Sequence, residues 1–129
     1  MGEQPAARPR ILIVDDEPFI LKALRRSLER DHQVTCAESG AVALDLVTAS
    51  PDPFDAIVCD LRMDGMSGEQ LYAEISEAAP QLAQCMIFMS GEVWSPRAKR
   101  FLDAVPNARF EKPLDLSELR ASIRAQLPA

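Results

Sequence analysis

The sequence predicts a single α/β domain: a five-stranded parallel sheet with helices on both faces. Two observations carry that prediction. Short, unbroken apolar runs alternate with segments whose apolar residues recur at helical spacing, the pattern of repeated β-α units. The longest runs, residues 11–14, 56–59 and 86–89, each end abruptly in a polar residue able to do chemistry. In open α/β sheets the carboxyl ends of strands are where ligands bind.

Residues 11–14 (Ile-Leu-Ile-Val) suit a strand buried on both faces. Pro18 suits the first turn of a helix, and Phe19, Ile20, Leu24 and Leu28 continue it at near-helical spacing to about Arg30. Residues 33–36 form a short, weak second strand. Ser39 is placed to cap a second helix bearing Val42, Leu46 and Val47, ended by Pro51 and Pro53. Residues 56–59 form the third strand, which delivers Asp60 to its tip. Ser67 and Gln70 have capping-box spacing, so a third helix runs to about Ala79, where Pro80 closes it. Residues 86–89 form the fourth strand, ending at Ser90-Gly91. Ser95-Pro96 opens a short fourth helix to about Ala104. Residues 108–111 form a short fifth strand, ending at Lys112-Pro113. Asp115 and Glu118 repeat the capping box, and Leu116, Leu119, Ile123 and Leu127 stripe the fifth helix. The weak second and fifth strands suit the sheet edges, and the long apolar runs suit its centre.

Composition narrows the function. The 129 residues are 47% hydrophobic and 26% charged, ordinary for a soluble globular domain. No apolar run approaches the roughly 20 residues that span a membrane, and Met1 to Arg10 lacks the apolar centre of a signal peptide. A cytoplasmic domain over residues 10–128, preceded by a flexible tail at 1–9, is expected. Cys36, Cys59 and Cys85 lie far apart in apolar runs and read as core residues of a reducing cytosol. The net charge of −6 disfavours direct nucleic-acid binding. His32, the only histidine, falls in a polar turn and is expected in solvent; alone it cannot build a histidine metal cluster or a Ser-His-Asp triad.

In a parallel sheet the strand tips share one edge, so Asp15, Asp16, Asp60, Ser90 and Lys112 converge. Three adjacent carboxylates repel one another, and a divalent cation resolves the repulsion. Hard oxygen donors without histidine or cysteine point to Mg2+. A metal, a lysine and a hydroxyl around one carboxylate form equipment for handling a phosphoryl group. Asp60, alone at a central strand tip before a glycine-containing loop, is the better acceptor.

These residues carry a resemblance. Val14-Asp15-Asp16-Glu17-Pro18, Asp60 before Leu61-Arg62-Met63-Asp64-Gly65-Met66-Ser67-Gly68, Met89-Ser90-Gly91 and Glu111-Lys112-Pro113 together resemble the receiver domain of two-component response regulators. The intervals are similar to that family's too: 44 positions from Asp16 to Asp60, 30 from Asp60 to Ser90 and 52 from Asp60 to Lys112. The resemblance implies a flavodoxin-like (βα)5 sandwich with strand order 2-1-3-4-5. It implies that Asp60 accepts a phosphoryl group from a histidine kinase or histidine phosphotransfer protein. Asp16, Asp60 and the backbone carbonyl of Arg62 would hold Mg2+ or Mn2+, with Asp15 acting through a metal-bound water. Lys112 and Ser90 would contact phosphoryl oxygens, and Ser90 would pull its loop inward to switch the surface for a downstream protein output. The chain is expected to be a stand-alone receiver or one cut from a larger regulator or hybrid kinase, a phosphoacceptor and not an enzyme beyond acting on itself. It is not expected to contact a membrane.

The chain departs from that family at three places. Arg109 stands where an aromatic switch residue is common. Phe110 next to it points to the opposite face as a core residue, unless a local bulge re-aims it. Asp64 stands where proline is common. Arg62 and Glu92, each two positions beyond a site residue, are expected to approach across the pocket mouth and slow dephosphorylation. A trans Lys112-Pro113 bond is the default, with a cis bond as the alternative that aims the lysine inward. The basic run Arg97, Lys99, Arg100 reads as a solvated helix face. Of the competing functions, a Mg2+-dependent phosphatase with an aspartyl-phosphate intermediate needs an acid-base aspartate two residues past the nucleophile, where this chain has Arg62 or Glu17. An FMN carrier needs a phosphate-cradling loop where this chain has Asp15-Asp16-Glu17.

Overall fold

The computed structural model describes residues 8–49, 53–91 and 95–127. Most of the expected N-terminal tail, Pro51 and Glu92 lie outside them. Strands β1 (Arg10–Val14), β2 (Gln33–Ala37), β3 (Ala56–Asp60), β4 (Met86–Ser90) and β5 (Arg109–Glu111) form one sheet. All pairs are parallel, in the order β2-β1-β3-β4-β5. The helices are α1 (Pro18–Leu28), α2 (Gly40–Ala49), α3 (Gly68–Ala78), α4 (Pro80–Ala83), α5 (Pro96–Ala104) and α6 (Leu116–Gln126).

Alternation along the central strands sorts the core into two layers. Leu12, Val14, Ile57, Cys59, Met86 and Phe88 face one side, packing with Ala43 of α2, Leu71 and Ile75 of α3, and Leu102 of α5. Ile11, Ile13, Val58, Ile87 and Met89 face the other, packing with Leu21, Leu24 and Leu28 of α1 and Leu119 and Ile123 of α6. That is why the central strands read as unbroken apolar runs: both faces are buried. An edge-to-face cluster of Tyr72, Phe88 and Phe101, with ring centroids 5.2–5.8 Å apart, joins α3, β4 and α5.

The expected caps form. Ser67 accepts from the Gln70 N–H and the Gln70 side chain returns a bond to the Ser67 N–H. Ser39, Ser95 and Asp115 accept from the third residue onward. Three expectations are corrected. Pro80 does not merely end α3; after Ala79 leaves helical geometry it opens a fourth, four-residue helix, since a first-turn proline lacks only an N–H that needs no partner there. Among the described residues there are therefore six helices rather than five. His32 is 8% exposed rather than solvated: its Nδ1 donates to the Leu28 carbonyl at 2.9 Å, adding to the main-chain N–H groups of Asp31 and His32 that already reach that oxygen at the end of α1. The Lys112-Pro113 bond is cis, where trans was the default.

Gly68 opens α3 against the end of β3. A Cβ there would sit 2.6 Å from the Asp60 carbonyl oxygen and 2.9 Å from the Leu61 Cα, both backbone atoms that cannot swing away. Gly68→Ala is therefore expected to destabilise the fold by about 1–3 kcal/mol, measured by urea denaturation. A neutral result would mean that the start of α3 is free to move off the sheet.

Candidate functional site

Sheet order and strand parity together assemble the site. β1 and β3 are neighbours, so their tips place Asp15 and Asp60 side by side. Both follow the alternation that faces α1 and α6, and Lys112 falls in the same phase two residues beyond Phe110. Lys112 lies beyond β5, however, with β4 between it and Asp60. Its main-chain N–H is anchored to the Ser90 carbonyl at 2.7 Å, and its four-carbon stem covers the remaining distance. The Nζ reaches Asp15 Oδ2 at 2.8 Å, Asp60 Oδ1 at 3.5 Å and Glu17 Oε1 at 3.9 Å.

Asp15 is fully buried and Asp60 4% exposed. One oxygen from each of Asp15, Asp16 and Asp60 lies within 4.8 Å of the others. Asp15 also accepts from the Glu17 N–H at 2.9 Å, and Asp16 accepts from the Asp64 N–H at 3.2 Å. Burial, then the charge of Asp15, pushes the Asp60 carboxyl up to about 6, against the pull of Lys112. Burial would lower Lys112, but its bond to Asp15 and the charges of Asp60, Asp15 and Glu17 outweigh it and hold the ammonium charged. Beneath the site, burial and then the Asp60 and Asp15 charges raise the Cys59 thiol, so it remains a neutral core group.

Three carboxylates against one ammonium leave the pocket short of positive charge. The donors are all hard oxygens at mutual distances one ion could bridge, and the raised carboxyl of Asp60 marks the deficit. The residues thus fit a divalent cation such as Mg2+.

The other sequence-derived residues are placed as follows. Ser90 ends β4, one residue beyond the partner of Asp60 in the register. Arg62 lies exposed in the loop after Asp60 and lines a groove of about 660 Å3 with Asp16, Asp64 and Arg97. Its expected partner Glu92 falls outside the described residues. Arg97, Lys99 and Arg100 lie exposed on α5, with Arg97 3.5 Å from Glu69 on α3. Phe110 packs in the layer with α1 and α6. Arg109 is half-buried: its Nη2 donates to the carbonyls of Leu102 and, at 3.1 Å, Val105, at the end of α5. The Asp64-to-Asp16 bond was missed by sequence reasoning, which weighed only the side chain at position 64.

The model of the response regulator receiver domain family matches residues 11–124. The chain belongs to that family. It is 36% identical over 124 residues to the transcriptional regulatory protein GlrR of Escherichia coli (strain K12), covering 95% of this chain and 26% of that protein. It is 31% identical to part of the sensor histidine kinase TmoS of Ectopseudomonas mendocina, covering 90% of this chain and 12% of that one. The structure of a receiver domain from Clostridium thermocellum superimposes with a TM-score of 0.82 at 25% identity, over 92% of this chain and 93% of that one. The chain thus spans about a quarter or less of these two relatives' lengths. Receiver domains are signalling modules, and among the described residues no helix is long and apolar enough to cross a membrane.

The raised carboxyl of Asp60 has a consequence for the metal-free receiver. Because the folded state holds the proton more tightly than the unfolded chain, this group's contribution to stability is complete below the ordinary aspartate value of 3.8 and is lost as pH rises through about 6. Near neutrality the charged Asp60 is a cost. With EDTA present, Asp60→Asn is expected to raise the Tm by about 3–6 °C near pH 8, corresponding to about 1 kcal/mol after allowing for water at the pocket mouth. The gain should shrink towards zero near pH 4. Circular-dichroism melts across that range check it, and an equal gain at both ends would remove the charge as its source.

Proposed function

We infer that this receiver is the phosphoacceptor of a two-component phosphorelay, with Asp60 taking the phosphoryl group from a phosphohistidine. The observation that carries this is Asp60 itself, buried at a central strand tip, 3.5 Å from the Lys112 ammonium and beside two further carboxylates. The donor is a histidine kinase or a histidine phosphotransfer protein, in line with the resemblance of the chain to part of a sensor histidine kinase. An Asp60 carboxylate oxygen forms the new P–O bond as the P–N bond to the donor imidazole breaks, and the imidazole leaves with that electron pair and takes up a proton.

Asp60 must be ionised to attack; with its carboxyl raised to about 6 it is largely charged at neutral pH, against burial and the charge of Asp15. Asp16, Asp60 and the Arg62 carbonyl would hold Mg2+ or Mn2+, assisted by Asp15, and the ion would supply positive charge that offsets the clustered carboxylates and screens phosphoryl oxygens. Lys112 holds a phosphoryl oxygen from the other side. It is already tied to Asp15, which orients it before a ligand arrives. Ser90 hydrogen-bonds another oxygen, and its movement alters the surface offered to a downstream protein. Arg62, exposed on the groove with Asp16 and Asp64, slows the approach of hydrolytic water. Apart from taking up and losing its own phosphoryl group, the domain performs no catalysis.

Incubation with Mg2+ and a small acyl phosphate, followed by intact mass, tests this reading. One phosphoryl adduct is expected, absent in Asp60→Asn, and formed at least ~10-fold more slowly in Lys112→Ala, the loss of one charge-assisted contact in a buried site. An unmodified protein with every donor, or an adduct that survives Asp60→Asn, would overturn it.

A further inference from the structure

Position 64 connects two parts of the site that lie far apart in sequence. The turn after β3 passes through Asp64 and Gly65, and Gly65 takes a left-handed φ of +77°. This turn presents the Asp64 N–H to Asp16 Oδ2 at 3.2 Å, across 48 residues of sequence. Asp16 lies in the turn after β1; unlike Asp15, whose two oxygens are engaged by Lys112 and the Glu17 N–H, it has no salt bridge to Lys112 among those within 4 Å. Among the described residues, the Asp16 carboxylate is held by the Asp64 main chain. A proline at position 64 would have no N–H to give.

We propose that the Asp64 N–H is a latch on Asp16: it holds this cation-binding carboxylate in place before the ion arrives and ties to it the loop that carries Arg62. The proposal rests on the reading of Asp15, Asp16 and Asp60 as a cation site. Asp64 is a positioning residue that acts through its main chain, while its exposed carboxylate adds only one negative charge to the groove. Groups that orient metal ligands commonly govern affinity by an order of magnitude or more. A charge-assisted N–H to a carboxylate is stronger than a neutral bond.

Two variants separate main chain from side chain. Asp64→Asn keeps the N–H and removes the charge, so Mn2+ binding, followed by calorimetry, should weaken about twofold, and that loss should fade with added salt. Asp64→Pro removes the N–H and should weaken Mn2+ binding about tenfold, with the excess over Asp64→Asn persisting in salt. Equal affinities for the two variants overturn the latch. Absence of Mn2+ binding to the unaltered protein overturns the cation site instead. A measurement without metal guards against misfolding of the proline variant. In Asp16→Ala, the Asp64 amide should exchange with water about fivefold faster by NMR than in the unaltered chain. An unchanged exchange rate would show that no latch exists.

Discussion

Lys112 is one ammonium serving three carboxylates, and the rest of the receiver is arranged around that imbalance. It approaches from beyond β5, across β4, to meet Asp15 at 2.8 Å and Asp60 at 3.5 Å. The tighter contact is with the fully buried Asp15, which needs a partner most. Asp60 receives the weaker share and is left with a carboxyl shifted up to about 6. The pocket is thus built to be incomplete. A second positive side chain at this tip would stabilise the metal-free fold by answering the excess of carboxylates.

An unsatisfied cluster of this kind has to be held by something rigid, and the two-layer core supplies it. β1, β3 and β4 are buried on both faces, so their tips cannot drift without opening one layer or the other. The start of α3 lies so close to β3 that only a glycine fits at Gly68, where the helix meets the main chain of Asp60 and Leu61. Asp60 is therefore fixed from behind by backbone, while Asp64 and Gly91 in front of it are exposed.

What could be read from the chain was what depends on near neighbours in sequence. Caps such as Ser67 with Gln70, and strands such as residues 56–60, are set by residues within a few positions, and they formed where expected. The convergence of Asp15, Asp16, Asp60 and Lys112 was legible because a parallel sheet puts all its strand tips on one edge. The errors have partners that local reading cannot see. His32 looked solvated because its turn is polar, yet the end of α1 gives its Nδ1 a carbonyl and covers the ring. Pro80 signals both a stop and a start, and only the packing of Leu82 and Ala83 shows that a new helix follows. The Asp64 bond to Asp16 joins main chain to side chain over 48 residues, so no pattern of residue types announces it.

Arg109 shows how far one such hidden partner reaches. A charged residue at an edge strand suggests solvent, but β5 runs beside the last turn of α5, where the Leu102 carbonyl has only a long bond, 3.4 Å, from the Val105 N–H. The guanidinium supplies donors to Leu102 and Val105, and its charge suits the negative end of the helix. α5 is held a second time near its middle, where Phe101 packs edge-to-face on Tyr72 and Phe88. A rigid shift of α5 must break both attachments, each worth on the order of 1 kcal/mol. Its first turn carries neither; there Ser95 caps the helix and an exposed Arg97 reaches Glu69. That end lies on the groove shared with Asp16, Arg62 and Asp64, so the part of α5 held least firmly is the part nearest the acidic cluster. Position 109 thus carries a charge that is bonded to the end of α5 remote from the site.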